Sequence, residues 1–211
     1  MKEFYVGSYQ KAEQAGIARM AVDEGSGEIT CLGAFAGADN PSFVLPHPDG
    51  KLLYAVEELV PEGRVSVFSV KDGALEKVQT YSTLGADPCH LSLDETGRFL
   101  FAANYTSGSL MAYRLGADGL IEDPAFLRTD TGSSVYAGRQ DSAHVHFSRM
   151  IDGVLYVCDL GEDKIHRFTA SADGELQENL APLAVPAGYG PRHLTECMAH
   201  PGFLYVITEM G

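Results

Sequence analysis

The chain has 211 residues, 45% of them hydrophobic and 21% charged, with no tryptophan. That length supports a packed core, and the apolar share excludes an intrinsically disordered chain. Fifteen Lys and Arg against 29 Asp and Glu give a formal net charge of −14, which opposes broad contact with nucleic acid or an anionic membrane.

The chain opens on three short alternating segments, EFYVGSY (residues 3–9), GIARMAVD (16–23) and EITCLGAF (28–35), which read as successive antiparallel strands. A longer unit follows. PSFVLPHPDGKLLYAVEE (41–58) holds two strands about a glycine turn, RVSVFSV (64–70) is a third, and ALEKVQTYS (74–82) a fourth beyond a turn at Lys71-Asp72-Gly73. The next unit repeats this order: PCHLSLDETGRFLFAANY (88–105), SLMAYRL (109–115), a turn at Asp118-Gly119, and a weaker strand around Pro124 to Arg128. The third runs SAHVHFSRMIDGVLYVCDL (142–160), KIHRFTA (164–170), a turn at Asp173-Gly174 and ELQENLAPLAV (175–185). PRHLTECMAHPGFLYVITE (191–209) then supplies the first two strands of one more unit. β-Branched and aromatic residues alternate with polar ones throughout, and Asp-Gly pairs provide the positive φ of tight hairpins.

The turn residues Gly50, Gly97, Gly153 and Gly202 recur at equivalent places, about 50 residues apart, the spacing of propeller blades. Four strands per unit and no helical period predict an all-β fold, a β-propeller of four-stranded antiparallel blades forming a single domain over residues 1–211. Three blades are whole, the opening one lacks its innermost strand, and the closing one lacks its outer two. The expectation is an incomplete ring, truncated at its C-terminal side, with open sheet edges that favour self-association.

No apolar run approaches the eighteen or so residues of a membrane span, and the first ten residues lack the character of a signal peptide. Cys31, Cys89, Cys158 and Cys197 form no C-x-x-C pair, so neither a disulfide framework nor a structural zinc site is expected, and a cytoplasmic location follows. Cys89 beside His90 raises a thiol nucleophile, but a small buried hydrophobe is the better reading.

The innermost strands of a propeller line its central channel. Aligning the units on their inner strands sets Phe43, His90, His144 and His193 in one column. Alternation puts His146 on the same side as His144, with Leu91, Val145 and Leu194 facing away. Arg139, Gln140 and Arg192 stand nearby in the sequence, so imidazoles and guanidiniums are expected at one channel mouth. That cationic patch suits an anionic substrate in an acidic protein. The histidines also suit metal in principle, but no carboxylate or cysteine stands at fixed spacing from them, and neither metal nor cofactor is assigned. His47, His166 and His200 read as turn or surface residues, and Glu57, Glu58, Asp159 and Glu162 as loop charges.

The stretches HPDGKLLYAVEE, PCHLSLDETGRFLFAANY, GRQDSAHVHFS with LYVCDLGEDKI, and GYGPRHL with LYVITE closely resemble the lactonase-type seven-bladed β-propellers. That family includes the propeller form of 6-phosphogluconolactonase and the carboxymuconate lactonising enzymes. The most specific parts are RQDSAHVHF (139–147) and GPRHL (190–194). The resemblance implies that the chain corresponds to four-plus of seven blades and acts on a small anionic lactone. Hydrolysis of 6-phosphogluconolactone to 6-phosphogluconate, a step of the pentose phosphate pathway, is the leading implication. A cycloisomerase or hydrolase of another anionic lactone, such as a carboxymuconolactone, and a non-catalytic binding scaffold are the alternatives. It also implies chemistry at His144, Arg192 and Glu209, which leaves His90, Arg139, Gln140, His146 and His193 as substrate-binding candidates.

Overall fold

A computed structural model describes residues 1–171 and 176–211; the turn expected at Asp173-Gly174 lies outside the described residues. Among the described residues, seventeen strands form five antiparallel sheets and there is no helix. The first sheet is β1(Lys2–Gly7), β2(Ile17–Val22) and β3(Ile29–Phe35). The second is β4(Val44–Pro46), β5(Leu52–Glu57), β6(Arg64–Lys71) and β7(Ala74–Ser82). The third contains β8(Pro88–Leu93), β9(Phe99–Asn104), β10(Ser109–Leu115) and β11(Ile121–Thr129). The fourth contains β12(Val145–Ile151), β13(Val154–Asp159), β14(Lys164–Ala170) and β15(Leu176–Ala184), and β16(Pro191–Glu196) pairs with β17(Leu204–Thr208) in the fifth. Every sheet is a meander in chain order, the blade of a propeller. Among the described residues no helix is long and apolar enough to cross a membrane.

Local chemistry explains the hairpins. Asp72 and Gly73 both take positive φ (50° and 79°), as do Asp152 and Gly153 (49° and 74°), the mirror-image turn whose twist matches the flanking strands. The strand expected only around Pro124 to Arg128 is longer than the sequence suggests. β11 starts at Ile121; its register shifts skip Ala125 and Glu122, while Pro124 stays opposite Tyr113 on the outermost strand. A proline is tolerated there since no further strand needs its N–H.

Packing between blades uses the two faces of each sheet. On β9, Leu100 and Ala102 meet Tyr54, Val56 and Val67 of the preceding blade. The alternate residues Phe99, Phe101 and Ala103 meet Val145, Leu155, Val157 and Phe168 of the next. Leu53, Ala55 and Phe68 face the first blade through Ile17 and Ala38, and Phe147, Cys158 and Ile165 face the fifth through Leu194. Both faces of a middle blade are therefore dry, and all six residues of β5 and of β9 are buried.

Two tyrosines pin neighbouring blades through buried hydroxyls. Tyr54 donates to the Gly119 carbonyl at 2.6 Å, and Tyr113 donates to the Ser82 carbonyl at 2.7 Å. Tyr54→Phe leaves the buried Gly119 oxygen unpartnered, with an expected loss of about 1–3 kcal/mol in a urea melt. Phe101→Ala, which opens a cavity between blades, is expected to cost about 3–5 kcal/mol.

Candidate functional site

The inner strands β4, β8, β12 and β16 converge around one axis, and β8, β12 and β16 carry the same irregularity. In β8, Pro88 pairs with Asn104 and His90 with Ala103, so Cys89 is an extra, unpaired residue. β12 does this at His146, between Val145 opposite Asp159 and Phe147 opposite Cys158, and β16 at Arg192, between Pro191 opposite Thr208 and His193 opposite Ile207. A bulge of this kind turns the extra side chain out of the pleat and re-aims it.

The registers correct the expected column. Phe147, not His144, is the counterpart of His90 and His193, and Phe43 joins them through its carbonyl, which accepts from the Val56 N–H. These four rings close the axis. Centroids lie 4.4 Å apart for Phe43 and His90, 4.3 Å for His90 and Phe147, and 4.9 Å for Phe147 and His193.

Above this aromatic floor lies a recess of about 450 Å³ lined by Tyr9, Ser42, Glu58, Cys89, Tyr105, His146, Arg192, His193 and Glu209. Its charged wall is a carboxylate held between two guanidiniums. Arg192 donates to Glu209 at 2.9 Å, and Arg139 donates to the other oxygen of the same carboxylate. Burial works to raise the Glu209 pKa, but hydrogen bonding and charge from Arg139 and Arg192 outweigh it and hold the acid below its usual range.

One buried carboxylate places both arginines. Asp163 accepts from Gln140 Nε2 at 2.8 Å and from Ser134 at 2.5 Å, which fixes the loop bearing Arg139. It also accepts from the Gly188 and Gly190 N–H groups at 2.7 Å each, which fixes the entry to β16 and Arg192. Gln140 was expected to meet substrate. It is wholly buried, its amide engaged by Leu160, Asp163 and Tyr136, so it braces the loop instead.

The imidazoles divide into three settings. His90 is buried in the floor, away from the recess wall, and burial followed by the nearby His193 and His146 lowers its pKa well below the usual value. His146 stands on the wall, 5.2 Å from the His193 ring; burial, then Arg192 and His193, pushes its pKa down to about 4. His193 is lowered by burial and then by Arg192. His144 lies behind the wall. Its ring stacks on Tyr105 with centroids 4.5 Å apart, and Nδ1 is 3.0 Å from the Tyr105 carbonyl. A carbonyl only accepts, so Nδ1 carries the proton and Nε2 the basic lone pair. Tyr105 meets His146 edge-on at 5.8 Å and so bridges the two histidines.

Other sequence expectations change in the folded chain. Glu58, read as a loop charge, lines the recess and accepts from Tyr9 at 3.0 Å and from Ser42. Glu57, Asp159 and Glu162 are buried, not solvated, and His166 is a buried residue of β14 rather than a surface one. Burial drives the Cys89 thiol far above its ordinary pKa, which opposes a thiolate nucleophile there. Tyr9, Ser42 and Tyr105 escaped notice in the sequence. Only Ser42 carried a signal, as the residue before Phe43 in the position of Cys89, His146 and Arg192.

The blades surround a polar mouth that carries Arg192 and Glu209. The chain belongs to the family described as lactonase, 7-bladed beta-propeller, which it matches over residues 3–211. It is 33% identical to a 6-phosphogluconolactonase of Formosa agariphila, over 90% of this chain and 56% of that protein. With the 6-phosphogluconolactonase of Bacillus subtilis the identity is 30%, over 98% of this chain and 59% of the relative. The periplasmic gluconolactonase of Pseudomonas aeruginosa superposes with a TM-score of 0.84 at 26% identity, covering 98% of this chain and 66% of that one. The chain thus spans 56% and 59% of the lengths of the two curated relatives.

The neutral imidazoles have a signature in acid. His146 binds a proton near pH 6.5 when unfolded but only near pH 4 when folded, so the unfolded chain holds more protons between those values. Stability is therefore expected to fall as the pH drops from about 6.5 to about 4, by up to about 3 kcal/mol from this residue. Urea melts across that range check this, and His146→Gln should flatten the dependence.

Proposed function

We propose that the protein hydrolyses an anionic sugar lactone, 6-phosphogluconolactone, to 6-phosphogluconate, which would place it in the pentose phosphate pathway. The observation that carries this reading is a recess that sets Arg192 and Glu209 beside uncharged His146 and His193, with Arg139 paired to the same Glu209 carboxylate. The relatives named 6-phosphogluconolactonase support the substrate. A strongly acidic protein needs a local cationic patch to hold a phosphorylated substrate, and paired guanidiniums provide it. The polar wall counts against a purely structural propeller. We place the reaction in the cytoplasm, in keeping with four free cysteines.

In the proposed reaction, water adds to the lactone carbonyl carbon and gives its proton to an imidazole acting as general base. The carbonyl oxygen becomes an oxyanion, and Arg192 donates to it more strongly than to the neutral carbonyl. The ring C–O bond then breaks, and the leaving oxygen takes the proton back from the imidazolium as the sugar hydroxyl. Glu209 fixes both guanidiniums, with Arg139 toward the anionic group of the substrate. His144 is the base in this scheme, since the Nδ1–Tyr105 bond leaves the lone pair on Nε2, whose contact is a long one of 3.5 Å to the Ser142 hydroxyl. His146 is the second reading for that role because it stands on the recess wall itself. His193 and His90 shape the floor beneath the substrate.

The test is lactone hydrolysis, corrected for spontaneous opening, in wild type, His144→Ala, His146→Ala and Arg192→Ala. Arg192→Ala is expected to lower kcat about 10²-fold or more, as loss of an oxyanion donor does. Whichever histidine variant loses kcat at unchanged Tm identifies the base. Acceleration that survives all three substitutions, or none in the wild type, overturns the reading.

A further inference from the structure

A second cavity, of about 490 Å³, opens away from the recess where the outer edge of the third blade meets the fourth, and Asp130, Glu162, Lys164, His166 and Glu178 line it. Asp130 follows β11 of the third blade; Asp159 ends β13, His166 lies on β14 and Glu178 on β15 of the fourth. Among the described residues, Asp130, Asp159 and His166 each bring one potential ligand atom within 4.8 Å of the others.

Two of these side chains are nine-tenths or more buried and incompletely bonded. Asp159 is 0% exposed; its Oδ1 accepts from the His144 and Glu162 N–H groups at 2.9 and 3.0 Å, while Oδ2 has no hydrogen-bond partner among the described residues. His166 is 4% exposed; its Nδ1 is 2.7 Å from Glu178, while Nε2 has no hydrogen-bond partner among the described residues and lies 3.8 Å from a Glu162 oxygen. Leaving such atoms unsatisfied in a dry site is costly. An imidazole backed by a carboxylate on one nitrogen, with the other bare, is the arrangement that holds a metal-ligating histidine in tautomer and orientation.

The local charge points the same way. Arg128 pairs with Asp130 and Glu178 at 2.6 and 2.5 Å, and Lys164 pairs with Glu162 at 2.6 Å. Four carboxylates, Asp130, Asp159, Glu162 and Glu178, thus face two cationic side chains, leaving the charge that one divalent cation neutralises. Carboxylate oxygens with one imidazole nitrogen suit a borderline transition cation of the Zn²⁺ type. Ligands at zinc distances sit roughly 3.4 Å apart, so a small inward movement of three side chains closes the site.

We propose that Asp130, Asp159 and His166 form a divalent transition-metal site, with Glu162 beside it, that joins the third and fourth blades. The bound cation also bears on the recess. Asp159 holds the backbone N–H of His144, so fixing Asp159 fixes the turn that presents the His144 ring.

Zn²⁺ alone is the probe. The full chain, stripped with chelator and returned to metal-free buffer, is melted with and without ZnCl₂ and titrated by calorimetry. At a hundredfold excess over Kd the wild type should gain roughly 5 to 10 °C in Tm, with one ion bound per chain. Asp159→Asn keeps the Oδ1 acceptor and His166→Ala removes the imidazole; either variant, if it folds, should lose the shift, and Asp130→Asn should reduce it. His146→Gln should keep it, which separates this site from the recess imidazoles. An unmoved wild-type Tm would overturn the proposal. So would a shift that survives in folded Asp159→Asn and His166→Ala, or one lost in His146→Gln.

Discussion

Each middle blade must bury both of its faces, and this constraint organises the molecule. A strand of period two can do so only if successive residues suit different neighbours. β9 shows the solution: Leu100 and Ala102 serve one interface, and Phe99, Phe101 and Ala103 the other. Because large side chains on one blade meet smaller ones on the next, the sheets fan at close spacing and their inner strands are brought together. The convergence of the functional side chains is a by-product of that packing.

The same packing would place nothing useful at the axis if the inner strands were regular. Bulges at Cys89, His146 and Arg192 take these residues out of the alternation and turn them toward the mouth, while His90, Phe147 and His193 stay below as the floor. Burial lowers the pKa of His90, His146 and His193 and so favours their uncharged forms. Above the floor, Glu209 and Asp163 hold the two arginines, one by direct pairing and the other by fixing the backbone segments that carry them. Fold and chemistry are therefore coupled at a few carboxylates that a surface reading of the sequence would set aside.

Those carboxylates also link the recess to the blade interface behind it. Asp159 ends β13, bonds the His144 and Glu162 N–H groups, and stands beside His166 and Asp130. Asp159 thus joins the blade interface to the His144 backbone through one hydrogen bond.

Much of the architecture was legible in the residues alone. Alternating apolar and polar positions, Asp-Gly turns and a repeat of about 50 residues are local properties of the chain, and they located the strands of all five sheets to within a few residues. RQDSAHVHF and GPRHL marked the stretches that reach the mouth. Register was not legible. Whether His144 or Phe147 faces His90 depends on one extra residue in β12, a choice settled by pairing with β13 and by contact with neighbouring blades. Nor could the sequence show that Glu58 would reach Tyr9, 49 positions away, or that Asp130, Asp159 and His166 would meet between blades. Periodicity is written along the chain; proximity between distant side chains exists only once the sheets have closed against one another.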